Sequence, residues 1–236
     1  PPSRQTTATR LARLIITQEY CRLLSYISSI NISISKAQLS ELPVVCFSGH
    51  ISVIDTIESA KSAIHFLNNQ SVVGFDTETR PTFRKGKSNN VSLIQISTLT
   101  HSFLFRINKL GFIKELKDFI ENPATTKIGL SLKDDFKVLH KIADFEPQGF
   151  IDLQSFVKNY NIIDSSLQRI YAIIFNERIS KSQRLSNWEA EELTPSQQAY
   201  ASIDAWACLR IYAYLCAGKF SPMQSPYKIS PQNDLL

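Results

Sequence analysis

The chain has 236 residues, which is enough for one large domain or for one domain with an extension. Its apolar fraction of 43% and charged fraction of 20% are ordinary for a globular protein. No run of about 18 apolar residues is present, so we expect no membrane partner. The net charge of +5 is compatible with a polyanionic partner but indicates one only weakly. The cysteines and histidines lack zinc-ligand spacing, and nothing suggests a disulfide framework, which favours free thiols in the cytoplasm.

The first part of the chain differs in kind from the rest. Its first forty residues are rich in arginine and serine and contain a single acid, Glu19. We predict that residues 1–45 form an N-terminal extension that is flexible or helical. An organelle-targeting segment is a less favoured interpretation of the same composition, beside a cytoplasmic location.

A regular pattern of elements begins at about residue 51. The sequence 55–58 predicts a helix start and is followed by apolar residues at helical spacing. A strand ends at Glu78, and the polar stretch 80–90 is predicted to be a loop. Residues 91–97 and 102–106 are short β-rich runs, which together with the first strand predict an antiparallel meander.

The second half predicts alternating helices and strands, and then mainly helix. Helices are expected at 110–120 and 132–140, and strands at 127–130 and 150–153. The pattern is then helical to about residue 217, with breaks near 164–165 and 180–187. We therefore predict an α/β fold with a mixed five-stranded sheet flanked by helices. The predicted domain spans 46–218, and 219–236 is predicted to be a C-terminal tail.

Two carboxylates, Asp76 and Glu78, end an apolar run that is typical of a buried strand. Residues two apart on a strand point to the same face, and a buried acidic pair is costly unless a cation neutralises it. Hard divalent metals prefer such oxygen ligands. Asp135 and Asp204 follow downstream, and the four acids together indicate phosphodiester hydrolysis with two metal ions.

The segment around Tyr200 and Asp204 begins with a strong helix signal. Thr194 is a predicted N-cap, Pro195 occupies the first turn, and a glutamine follows. Residues four apart share one helix face, so Tyr200 and Asp204 project together. Taken alone, an ordinary exposed acid beside a half-buried tyrosine is the commoner interpretation.

The segment 129–139 also carries a weak signal when taken alone. Asp134 and Asp135 lie at the start of its predicted helix, on the polar side or at its margin. Acids in a first helical turn are favourable through the macrodipole, so a solvated helix N-terminus explains them equally simply.

The three segments taken together, in this order, resemble the DEDD superfamily of 3′–5′ exonucleases, specifically its tyrosine-bearing subgroup. The chain is similar to the exonuclease domains of ribonuclease D and of the Werner syndrome helicase, and to stand-alone bacterial members. The resemblance covers roughly residues 51–217, and it includes Phe-Asp-Thr-Glu-Thr at 75–79, Leu-Ile-Gln-Ile at 93–96 and the run 181–188.

The resemblance implies a ribonuclease H-like fold and release of nucleoside 5′-monophosphates from the 3′ end of single-stranded RNA or DNA. It implies two divalent ions, Mg²⁺ or Mn²⁺, bound by Asp76, Glu78, Asp135 and Asp204, with Tyr200 positioning or deprotonating the attacking water. Asp135 is preferred to Asp134 because the apolar residue expected four positions later is then Leu139. Asp134 stays open as the alternative.

Substrate contacts are predicted from position and charge. Thr77 lies between the two acids, and cations near a strand end suit phosphates. The candidate substrate-binding residues are therefore Thr77, Arg80, Arg84, Lys85, Lys181 and Arg184. A solvated basic loop explains the cations between 80 and 87 about equally well. Phe83 and Trp188 are candidates for base stacking, although Trp188 could equally be a packing residue.

Two rival functions follow from the same residues. One is a catalytically inactive nucleic-acid-binding module, which would be marked by loss of a carboxylate; all four are present. The other is a ribonuclease H-like nuclease that cuts internally, which the Tyr200–Asp204 helix disfavours. Serine hydrolases, kinases and dinucleotide-binding proteins are excluded because their glycine-rich or serine motifs are missing.

Overall fold

A computed structural model describes residues 29–82 and 89–229. The strands are β1 (Asn31–Ile32), β2 (His50–Ile54), β3 (Val72–Thr79), β4 (Val91–Ser97), β5 (His101–Arg106), β6 (Thr126–Gly129), β7 (Phe150–Asp152) and β8 (Lys228–Ile229). The α-helices are α1 (Lys36–Ser40), α2 (Ile57–Leu67), α3 (Ile107–Leu110), α4 (Lys114–Glu121), α5 (Leu132–Leu139), α6 (Leu153–Phe156), α7 (Leu167–Phe175) and α8 (Pro195–Cys216). Two 3₁₀ turns, Val157–Tyr160 and Pro222–Gln224, complete the described elements.

Six strands form the main sheet, in the order β2-β5-β4-β3-β6-β7. The segments β3, β4 and β5 are the antiparallel meander that the sequence predicts, and β2, β6 and β7 pair in parallel with their neighbours. The predicted mixed sheet is therefore confirmed, but the count of five strands was wrong by one. The missed strand is β2, an edge strand that is mostly half-buried and so carries a weak apolar pattern.

Helices cover both faces of the sheet. The odd-numbered side chains Val73 and Phe75 of β3 pack into a cluster that includes α2, α4 and α5. On the other face, α8 crosses β3 and β4. The central strand is buried on both faces, which explains why its sequence is almost continuously apolar up to Asp76.

Helix α8 begins as its sequence predicts. The Thr194 side chain accepts a hydrogen bond from the backbone N–H of Gln197, the Gln197 side chain reaches back to the Thr194 backbone, and Pro195 is the first helical residue. This capping box satisfies two N–H groups that a helix start would otherwise leave unpaired. The cap sets where the helix begins, and thereby which residues lie over β3.

The described part of the predicted N-terminal extension packs against the domain. Ile30, Ile32 and Ile34 are buried with α7 and α8 in one hydrophobic cluster, and β1 pairs with β8 of the predicted tail. Residues 29–45 are therefore neither a free segment nor wholly helical, because their apolar side chains fill the core. The expectation for 1–28 and for 230–236 lies outside the described residues. Within the described ranges, no helix is both long and apolar enough to span a membrane.

Candidate active site

The even-numbered residues of β3 build the floor of the site. Gly74, Asp76 and Glu78 share the face of the strand that α8 covers, because side chains alternate along a strand. A β-carbon on Gly74 would lie 1.7 Å from the carbonyl oxygen of Ala205. The absence of a side chain at Gly74 therefore lets the backbone of α8 approach the strand closely, directly beside the two acids.

This close approach brings a third carboxylate to the pair. Asp204 precedes Ala205 on α8, and carboxylate oxygens of Asp76, Glu78 and Asp204 all lie within 4.8 Å of one another. Each of the three side chains is partly exposed. The structure thus assembles residues that are about 130 positions apart in sequence into one acidic cluster that is open to solvent.

Asp135 reaches the site from the other face of the sheet. Helix α5 begins after Ser131, whose φ of 61° lies in the left-handed region and turns the chain sharply after β6. The Thr77 hydroxyl donates a hydrogen bond to the Asp135 carboxylate. Asp134 is exposed, whereas Asp135 is partly buried, and its charge adds to the effect of burial in raising the pKa of Asp76. The geometry therefore places Asp135, and not Asp134, beside the cluster.

The carboxylates are poorly solvated and repel one another. Burial first, and then the neighbouring acids, raise the pKa of Glu78 to about 8 and that of Asp76 well above its usual range. Burial raises the pKa of Asp204 to about 7 and that of Asp135 to about 6. Clustered acids with raised pKa values are typical of a site that is built to hold cations.

The donor set fits hard divalent cations. All the candidate ligand atoms are carboxylate oxygens, which Mg²⁺ and Mn²⁺ prefer. Beneath them, the buried side chain of Gln95 lies opposite Asp76 in the β3–β4 register, and neither of its amide atoms has a hydrogen-bond partner among the described residues. The site thus contains unsatisfied polar groups as well as unbalanced negative charge.

Tyr200 lies one helical turn before Asp204, on the same side of α8. Burial, and then the charges of Asp204, Glu78 and Asp76, raise the pKa of its phenol above the ordinary value. The hydroxyl is therefore protonated at neutral pH and can donate a hydrogen bond. Its ring lies 6.0 Å from that of Trp188, which is fully buried. Trp188 is thus a packing residue and is not available to stack on a base.

The predicted substrate-binding cations occupy different environments. Lys181 and Arg184 are exposed. The charge of Lys181 partly offsets the burial that raises the pKa of Asp204, and Arg184 has the same offsetting effect on the pKa of Tyr200. Arg80 forms an ion pair of 3.2 Å with Glu189, farther along the same rim. Arg84, Lys85 and Phe83 lie outside the described residues.

A cleft of about 400 Å³ opens beside the carboxylates. Its lining includes side chains that the sequence analysis missed, namely Ser131, Gln154, Ser165, Ser166, Gln168 and Ser180. Several of them lie in the predicted helix breaks near 164–165 and 180–187. The sequence signal that could have identified them is the presence of polar residues in a break between helices. Loops that a rigid scaffold holds in place often carry binding residues.

Comparison with known proteins agrees with this geometry. A family model described as a 3′–5′ exonuclease matches residues 51–217. The chain is 32% identical over 162 residues to the mouse bifunctional 3′–5′ exonuclease/ATP-dependent helicase WRN, and 30% identical over 173 residues to a 3′–5′ exonuclease of Arabidopsis thaliana. These matches cover 63% and 70% of this chain, but only 11% and 57% of the two relatives.

Solved structures show the same fold. The exonuclease domain of Aedes aegypti Nibbler superposes with a TM-score of 0.64 at 21% identity, covering 74% of this chain and 93% of that domain. Escherichia coli RNase D gives a TM-score of 0.63 at 24% identity, covering 71% of this chain and 44% of that protein. The mixed sheet with flanking helices is thus the ribonuclease H-like fold. Because the family model spans most of the chain and all four carboxylates, the chain belongs to the DEDDy-type 3′–5′ exonuclease family of hydrolases.

Proposed function

We propose that this chain hydrolyses phosphodiester bonds from the 3′ end of single-stranded RNA or DNA with two divalent cations, Mg²⁺ or Mn²⁺, and releases nucleoside 5′-monophosphates. The observation that carries this proposal is the cluster of Asp76, Glu78 and Asp204, whose carboxylate oxygens lie within 4.8 Å of one another in an open cleft. Family membership supports the exonuclease activity. The single-stranded substrate, the two metal ions and the residue roles are proposed.

The carboxylates would hold the cations. Asp76, Glu78 and Asp204 are the primary ligands, and Asp135 completes the set from the other face of the sheet. When bound, two divalent ions activate water and stabilise the leaving oxygen of a phosphodiester. The protein contributes a fixed, poorly solvated arrangement of negative charge, which favours a compact divalent cation over water.

Thr77 fixes the orientation of one ligand. Its hydroxyl donates to one carboxylate oxygen of Asp135, which leaves the other oxygen of Asp135 available to bind a cation. Thr77 therefore positions a metal ligand, which differs from the substrate contact that the sequence suggested for it.

Tyr200 would orient the attacking water. A phenol with an ordinary pKa of about 10 is protonated at neutral pH, so it donates a hydrogen bond and is a poor base. We therefore assign to Tyr200 the holding of water or of a phosphate oxygen beside Asp204, and we leave activation of the water to the metal site.

Lys181 and Arg184 would place the scissile phosphate. Both are exposed beside the acidic cluster, and neither forms an ion pair within the described part of the chain. Their charges offset the repulsion between the carboxylates and a polyanionic substrate, which otherwise opposes binding. A single-stranded 3′ end fits this arrangement because backbone contacts are independent of base sequence.

The proposal is tested with 5′-labelled single-stranded RNA and DNA of the same sequence, each with Mg²⁺, Mn²⁺ or EDTA. Asp76→Asn is the matched control because it keeps the shape of the side chain and removes the charge. A ladder that shortens from the 3′ end only with metal, and only with the wild-type chain, supports the proposal and shows the preferred sugar. Labelled nucleic acid that binds to the protein but is not shortened would instead identify an inactive binding module.

A further inference from the structure

A second depression adjoins the catalytic cleft. It has a volume of about 470 Å³ and is lined by Lys36, Leu39, Ser40, Gln168, Arg169, Arg178 and Lys181. Gln168 and Lys181 also line the catalytic cleft. The two depressions are therefore adjacent, and Gln168 and Lys181 form the border between them. We call the second depression the basic groove.

The basic groove has an unbalanced positive charge. Four of its seven lining residues are cations and none is acidic. Arg169 pairs with Asp164 at 2.8 Å, whereas Lys36, Arg178 and Lys181 form no ion pair within the described ranges. Cations clustered without acids attract an anion and concentrate it locally. The adjoining catalytic cleft carries the carboxylates of Asp76 and Asp204, so the charge changes sign across the shared border.

The wall that carries Lys36 comes from outside the exonuclease family match. The match begins at residue 51, whereas Lys36 is the first residue of α1. This wall is fixed in place: Asp164 accepts hydrogen bonds from the Ser33 hydroxyl at 2.8 Å and from the Ile34 N–H at 3.0 Å. The groove is thus built by joining a preceding segment to the exonuclease domain.

The opposite wall is fixed to the same segment. The Arg178 backbone N–H donates to the carbonyl of Pro43 at 2.8 Å, and its Nε donates to the carbonyl of Leu42 at 2.9 Å. One edge of the guanidinium is therefore anchored, while Arg178 still lines the groove. Hydrogen bonds thus hold both sides of the groove in place before a ligand binds. Binding therefore loses little free energy to ordering of the groove.

We propose that the basic groove binds the phosphates of the nucleotides that precede the 3′ end, so that residues 36–40 extend the substrate site beyond the exonuclease domain. This inference rests on the proposed function. A strand whose last phosphate lies at the carboxylates must leave the cleft, and the path past Lys181 leads into the groove. Each phosphate neutralised there releases counterions, so binding of longer strands depends strongly on salt.

The experiment uses Lys36→Glu, with Lys219→Glu as its matched control. Both lysines are exposed, and Lys219 lines neither the cleft nor the groove. An acid is well tolerated in the first turn of a helix, so reversal at Lys36 should not unfold α1. Binding of a fluorescent decanucleotide is measured by anisotropy in EDTA at several salt concentrations, and kcat/KM is measured with metal for the decanucleotide and for a dinucleotide.

We expect Lys36→Glu to weaken decanucleotide binding about threefold to tenfold, as suits reversal of one exposed charge. The slope of log affinity against log salt is negative and should become shallower by about 0.7, because the variant neutralises one phosphate fewer. The kcat/KM for the decanucleotide should fall more than that for the dinucleotide, which is too short to extend far into the groove. The control should match the wild type in each measurement.

Equal affinities for the two variants, or equal losses on both substrates, would overturn the groove assignment while leaving the exonuclease proposal intact. Conversely, a wild-type chain that binds the decanucleotide in a Lys36-dependent way but leaves it uncut would preserve the groove and refute the proposed function.

Discussion

Replacing Gly74 by alanine should damage both the fold and the site. The new β-carbon would lie 1.7 Å from the Ala205 carbonyl oxygen and 2.6 Å from its carbon, whereas real contacts of this kind keep at least 3.0 Å. Strand β3 and helix α8 must therefore separate locally by at least 1.3 Å, the difference between the two distances. The Ala205 atoms that the β-carbon meets are backbone atoms within helix α8, so no side-chain rotation can relieve the clash.

The expected magnitude follows from that displacement. Overpacking a core typically costs about 1–3 kcal/mol, and a clash with backbone belongs at the upper end, about 3 kcal/mol. For a chain of this size such a loss lowers the Tm by roughly 6–12 °C. The same movement separates Asp204 from Asp76 and Glu78, and a misplacement of about 1 Å can reduce a rate about 100-fold.

Thermal unfolding and nuclease activity of Gly74→Ala are compared with those of Gly218→Ala. Gly218 has a φ of 65°, and a β-carbon added there would meet no atom within 4 Å, so its substitution measures only backbone strain, about 1–2 kcal/mol. Without a clash, Gly→Ala in a strand would stabilise the protein by about 0.4–1 kcal/mol through the unfolded state. A Tm at or above that of the wild type, with normal activity, would refute the close approach of β3 and α8.

Four further outcomes are expected at the carboxylate site. Asp76→Asn should abolish nuclease activity, a larger effect than the 10–100-fold typical of losing an outer-shell group, and should weaken the fall of stability with rising pH in EDTA because one of the mutually repelling acids can no longer ionise. Tyr200→Phe should lower kcat about 100-fold, as for loss of one donor to the reacting centre, with metal affinity retained in a calorimetric titration. Asp135→Ala should lose activity, whereas Asp134→Ala should keep it. Because the pKa of Glu78 is raised from 4.5 to about 8, the folded state holds more protons than the unfolded state between these values, so denaturant unfolding in EDTA should show stability falling as pH rises through this window.

Each of these outcomes has a contradicting result. Unchanged turnover in Asp76→Asn or in Asp135→Ala would remove that residue from the metal site, and weaker metal binding in Tyr200→Phe would make the phenol a ligand-positioning group. The pH series ends near pH 8 because burial lowers the pKa of Lys127 to about 8. Above that pH the unfolded state binds a proton at Lys127 that the folded state has lost, so stability rises with pH there for a different reason. Excess Mg²⁺ should flatten the pH dependence, since a bound cation keeps the carboxylates ionised.

The sequence predicted helices and strands correctly where interactions between residues close together in the chain decide the structure. Side-chain periodicity predicted the meander from β3 to β5 and the helix that carries Asp135. The unpaired N–H groups of a helix start explain the cap at Thr194. Signals failed where burial is incomplete or comes from a distant segment. The edge strand β2 was missed, and no local pattern predicted that Ile30, Ile32 and Ile34 are buried against α7 and α8.

The sequence by itself determined which residues can do the chemistry: an acidic pair on one strand face, a tyrosine and an aspartate one helical turn apart, and two candidate aspartates at a helix start. The tertiary structure decided how they meet. It places the partly buried Asp135, and not the exposed Asp134, beside the acidic cluster, and it buries Trp188 as a packing residue. It also places Lys36, Leu39 and Ser40 along a depression that adjoins the cleft. The physical reason is range: periodicity and capping act over a few residues, whereas the contact of Gly74 with Ala205 and the repulsion among distant carboxylates exist only after the chain has packed.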